Sequence, residues 1–133
     1  MSTVYARNRK RTPFDPVDFA ARLQDLITKQ CGDERYVPKK WRLLLGQDLI
    51  SKADELMDNV MYANGLNAKD EKQKQLRLIY QRKAYINCDQ LDRKIARLIT
   101  VVPTADAGGM HDILEMLGKT QTAIYNWMRA ERG

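Results

Sequence analysis

Nine cations stand against four carboxylates between residues 67 and 102, and Arg7, Arg9, Lys10 and Arg11 crowd the first twelve residues with no acid among them. An excess of Lys and Arg attracts phosphate polymers, because each contact releases condensed counterions. Wound on a helix at about 100° per residue, Lys72, Gln75, Ile79, Arg82, Lys83, Ile86, Gln90, Arg93 and Arg97 share one arc about 100° wide. No acid falls within it. Lys94 lies at its edge, and the nearest acids, Glu71 and Asp89, lie on the other margin. A helical stripe of this kind can follow a phosphate backbone, with Arg making paired hydrogen bonds to phosphate oxygens. The candidate nucleic-acid contacts are therefore Arg7, Arg9, Lys10, Arg11, Lys72, Arg82, Lys83, Arg93, Lys94 and Arg97.

The same stripe admits two other uses, as a solvated face or as a face for protein. Ile79 and Ile86 inside the arc point to protein contact. A complement exists on the second helix, where Asp48, Asp54, Glu55 and Asp58 of one subunit could meet Arg82, Arg93 and Arg97 of another and set oligomer register. Nucleic-acid binding and subunit pairing are compatible, and the sequence leaves both open.

Catalytic groupings are hard to assemble. The one histidine, His111, neighbours Asp112 with no Ser or Cys nearby, and reads as a surface or helix-end residue. Glycine-rich phosphate loops, nucleophile elbows and the Glu-x-x-His pairs of di-iron bundles do not occur. Cys31 and Cys88 have no metal-ligand spacing and read as buried thiols. The expectation is a protein that is not an enzyme and has no cofactor and no metal. Most aromatic residues read as packing; Trp41, beside Lys39, Lys40 and Arg42, is the best candidate for a stacking role.

The elements that must position the basic arc are all helical. Four punctuation points, Pro13 to Pro16, Gly32 to Pro38, Asn64 to Asn67 and Pro103 to Gly109, separate segments of helical periodicity. The first helix is expected to start with Asp15 as cap and Pro16 at its first position, carrying Phe19, Leu23, Leu26, Ile27 and Gln30 on one side and ending at Gly32. Pro38 opens the second, whose stripe is Leu45, Leu49, Ala53, Leu56, Val60 and Ala63. Asn67 is the expected cap of the third, with Leu76, Tyr80, Ala84, Leu91, Ile95 and Leu98 inward and a length near 50 Å. That length requires an overhang or a kink. Asp106 is the expected cap of the last, with Met110, Ile113, Leu114, Leu117, Ile124 and Met128 inward.

Short turns between four amphipathic segments predict an all-α, antiparallel up-and-down four-helix bundle over residues 14–133, preceded by a basic tail, residues 1–13, too poor in apolar residues to be ordered by packing. A chain of 133 residues, 44% hydrophobic and 30% charged, fits one globular domain. It has neither an apolar span for a membrane nor the apolar run of a secretory signal, so a cytoplasmic protein without membrane association is expected.

Arg35-Tyr36-Val37-Pro38-Lys39-Lys40-Trp41-Arg42, Met61-Tyr62-Ala63-Asn64, Gln81-Arg82-Lys83-Ala84-Tyr85-Ile86 and the terminal Trp127 together resemble a group of small basic bundles. It includes the accessory variability determinants of diversity-generating retroelements and the proteins encoded in ribosomal-RNA intervening sequences. The resemblance covers about Phe14 to Trp127. It implies a non-enzymatic accessory protein, assembled as a homopentamer, that presents a basic surface to RNA or DNA and binds a reverse transcriptase. The basic tail and the long third helix depart from that compact pattern. A DNA-binding accessory of plasmid mobilisation and a helical protein adaptor remain the alternatives.

Overall fold

The segments between the punctuation points become four helices in the computed structural model, which describes residues 14–132; the tail expected over residues 1–13 lies outside the described residues. α1 spans Asp15–Cys31. A short helical turn, Lys39–Trp41, runs through one π turn, Arg42–Gly46, into α2, Gln47–Asn64. α3 spans Glu71–Val101, and a 3-10 turn, Pro103–Ala105, leads to α4, Met110–Arg132. Each helix packs on its chain neighbours, and α1 packs on α4 as extensively as on α2, which closes the ring. The result is the expected all-α bundle.

Helix starts differ from the sequence reading in three places, each for a tertiary or local reason. Phe14, not Asp15, occupies the cap of α1; it forms no side-chain cap, and its ring packs nearly perpendicular to that of Trp127 with centroids 5.1 Å apart. Packing therefore sets that start, while Asp15 and Asp18 place charge at the positive end of the dipole. Asp70, three residues beyond Asn67, caps α3 by accepting the Gln73 N–H at 3.1 Å; Asn67 instead closes the turn ahead of it by accepting the Lys69 N–H. Asp106 ends the 3-10 turn, and α4 begins only at Met110.

The inward line of α3 and its cap alternates strictly by four and three, from half-buried Arg77 through buried Gln81, Ala84, Cys88, Leu91, Ile95 and Leu98 to the cap residue Val102. Of these, Ala84 to Val102 belong to one core with Leu23, Ile27, Leu49, Leu56, Ile113 and Ile124. Leu76 lies off this line and is 42% exposed, correcting its expected inward position. Leu114 is likewise 40% exposed, because the buried line of α4 runs through Met110, Ile113, Leu117, Thr120, Ile124 and Trp127 and leaves it one position aside. With 31 residues α3 is about 46 Å long, against about 26 Å for the 17 residues of α1. Residues 71–76 are all exposed, so the extra length overhangs the core.

Polar latches close both ends of the ring. At one end Arg77 donates from Nε and Nη2 to Glu131 and from Nη1 to the carbonyls of Ala63 and Leu66. Gln81 and the Trp127 indole N–H also donate to Glu131, at 3.1 and 2.9 Å. Burial opposes ionisation of Glu131, but the hydrogen bonds and charge of Arg77, with help from Gln81 and Trp127, outweigh it and hold the carboxyl below its usual range. At the other end the buried Gln30 amide donates to the carbonyls of Ala105 and Ala107 and accepts the Gly109 N–H. Beside it Gly108 takes φ +61°, and a Cβ there would lie 2.5 Å from Cζ of Tyr36, so only glycine fits.

Candidate nucleic-acid interface

With Ala84, Cys88, Leu91, Ile95 and Leu98 turned inward, the arc opposite them on α3 must face solvent. Lys72, Arg82, Lys83, Arg93 and Arg97 are all exposed, as are Ile79 and Ile86 at 48% and 51%. Lys72 stands on the overhang, so the stripe continues past the end of the core. Among the described residues, Lys72, Arg82, Arg93 and Arg97 form no ion pair. Lys83 lies over the Tyr80 ring, its Nζ 5.2 Å from the centroid. Arg7, Arg9, Lys10 and Arg11 lie outside the described residues.

Lys94 differs from the others. Half-buried at the α2–α3 seam, it is paired with Asp48 at 2.5 Å. The acidic back of α2 is thereby largely engaged within the chain. Asp54 accepts from Gln24 on α1, and Glu55 accepts from Lys52 and from Asn87 on α3. The Lys52 hydrogen bond, then that of Asn87, lowers the Glu55 carboxyl below its usual range against a modest burial effect. A cleft of about 350 Å³ follows this seam, lined by Leu45, Asp48, Lys52, Gln90, Arg93, Lys94 and Arg97. Four cations and one carboxylate line it, which favours an anion.

The remaining sequence candidates are elsewhere. His111 is 87% exposed on the first turn of α4, with Nε2 3.6 Å from Glu115. Cys31 and Cys88 are buried, and burial pushes their thiols up to about 11 and about 12. Trp41 is half-buried with the Lys40 ammonium 5.0 Å from its ring. Among the described residues no group of three or more His, Cys, Asp or Glu is placed to hold a metal ion, and no helix is long and apolar enough to cross a membrane.

Sequence reasoning passed over the polar residues of the seam and the bundle end: Asn59, Asn87, Arg77, Gln81 and Glu131. Their signal was present, since Arg77, Gln81 and Glu131 continue the four-three spacing of the core lines. No protein family, curated protein or solved structure gives a significant match to the chain.

Proposed function

We propose that this protein is a non-enzymatic nucleic-acid-binding accessory of a mobile element, acting in the cytoplasm as a homo-oligomer and assisting a reverse transcriptase on its template RNA or cDNA. The observation that carries the binding part is the row of exposed cations on α3 that form no ion pair among the described residues: Lys72, Arg82, Arg93 and Arg97, with Lys83 beside them. Cations already neutralised by carboxylates release no counterions from a nucleic acid, whereas these are available to do so. The link to a retroelement rests on the resemblance of the Arg35–Arg42, Met61–Asn64 and Gln81–Ile86 stretches and of Trp127 alone.

The direct test is to replace Arg82, Lys83, Arg93 and Arg97 together by Gln and titrate RNA and DNA at several salt concentrations. Binding should weaken strongly at low salt, and the salt slope on single strands should fall by up to about 3. An unchanged slope would sink the proposal. Exposed Ile79 and Ile86 support a second reading, a protein-binding adaptor. That reading requires no nucleic-acid binding even at low salt, and loss of partner binding in Ile79→Ser/Ile86→Ser.

A further inference from the structure

Beside the cationic cleft lies a second one of about 340 Å³, lined by Glu55, Asn59, Lys83, Ile86, Asn87 and Gln90. Gln90 lines both, so the two form one furrow along the α2–α3 seam. Their character differs: one end is cationic and the other is rich in side-chain amides. Each volume is at the low end for small-ligand clefts, the scale of one base or one nucleoside rather than a folded segment.

The amides are oriented by a chain of forced choices. A carboxylate only accepts, so Asn87 must present its NH2 to Glu55. Its carbonyl oxygen therefore faces Asn59, whose Nδ2 donates to it at 2.7 Å. The second Asn87 N–H goes to Oε1 of Gln90 at 3.0 Å. Gln90 is thus held by its oxygen, and its NH2 has no acceptor among the described residues. Oε1 of Glu55 accepts no hydrogen bond among the described residues, since Lys52 and Asn87 both use Oε2, and Lys83 lines the same cleft. The furrow consequently offers a preset donor and a preset acceptor, and half-exposed Ile86 supplies an apolar wall.

A donor and an acceptor side by side, against an apolar wall and next to cations, suit the edge and face of a nucleobase whose phosphate is nearby. Along α3 the rise from Asn87 to Arg93 is about 9 Å, which keeps amides and guanidinium within reach of one short stretch of strand. We infer that the α2–α3 furrow binds an unpaired base of a single-stranded nucleic acid whose phosphates lie on Arg93 and Arg97. This inference rests on the nucleic-acid-binding reading above and narrows its ligand to strands with accessible bases. Duplex bases, stacked and paired, cannot enter it.

The test compares three fluorescein-labelled probes by anisotropy at one salt concentration: a mixed-sequence RNA strand, the same strand annealed to its complement, and an abasic phosphodiester strand of equal length. The base-bearing single strand should bind roughly tenfold more tightly than the abasic one. Gln90→Ala, and Gln90→Met as a variant of similar length, should lose roughly three- to tenfold on the base-bearing strand. Both should leave the abasic strand and the salt slope unchanged, and should lower the thermal melt slightly and to the same extent, because each removes the acceptor of the Asn87 N–H. Arg93→Gln with Arg97→Gln should weaken all three probes and lower the slope. Equal binding of base-bearing and abasic strands, preference for the duplex, or equal loss on every probe in the Gln90 variants would overturn the furrow while leaving the phosphate face standing. Absence of binding to every probe at low salt would overturn both.

Discussion

The two ends of the bundle solve one problem with different chemistry. Both must tie loops and helix termini together where the apolar core runs out. One end uses the neutral amide of Gln30, which satisfies two carbonyls and one N–H of the α3–α4 connection. The other uses an ion pair, Arg77 with Glu131, whose side chains are only 12% and 21% exposed. A neutral latch has little desolvation to overcome and does not respond to pH. An ionic latch couples more groups, but each partner left alone is a poorly solvated charge. The difference predicts that the ends fail under different conditions.

Arg77→Ala should break the comparison most severely, costing about 3–5 kcal/mol, because it leaves Glu131 uncompensated and strips partners from the carbonyls of Ala63 and Leu66. Urea denaturation of the variant measures this directly. Gly108→Ala, at the neutral end, should cost about 3 kcal/mol, since a left-handed residue would also collide with Tyr36. Its loss should be the same at pH 5 and pH 8, which would mark the latch as neutral.

Glu131→Gln should cost about 2 kcal/mol at neutral pH and, more tellingly, change the acid limb of stability. The Glu131 carboxyl is depressed in the folded state, so its contribution is fully present above the ordinary value of 4.5 and is lost as the pH falls below it. The variant should therefore be closest to the wild type at acid pH and furthest from it near neutrality. Glu55, depressed at the α2–α3 seam, adds a slope of the same sign. The smallest effect is expected from Lys94→Gln, below about 1 kcal/mol, because the pair with Asp48 keeps access to solvent, its side chains being 33% and 52% exposed. A larger loss would show that the seam, rather than the ends, anchors α3.

How far the sequence foretold this arrangement varied with the polarity of the buried line. Leu49, Ala53, Leu56, Val60 and Ala63 were legible as the inner face of α2 because every position is apolar. On α3 the pattern was misread at its start, where Leu76 looks like core but is exposed, Tyr80 packs at the core's edge, and Arg77 and Gln81 hold the inward positions. Hydrophobicity could not reveal a line whose first two members are polar; only their spacing could. The basic arc was legible because its angular position depends on α3 alone. Which of its cations are neutralised was not, since the partner of Lys94 is Asp48, 46 residues earlier on another helix. The amide chain from Asn59 to Gln90 was hidden for the same reason.

The two buried cysteines give the molecule an internal clock. Thiols react as thiolates, and with values pushed up to about 11 and about 12 neither Cys31 nor Cys88 reacts while enclosed. Labelling by a thiol-reactive dye in mild alkali therefore times the openings of the fold rather than the chemistry of sulfur. Cys31 follows Gln30 at the neutral end, whereas Cys88 sits in the middle of α3. If the ends breathe independently of the centre, Cys31 is modified first, and Gly108→Ala accelerates its labelling more than that of Cys88.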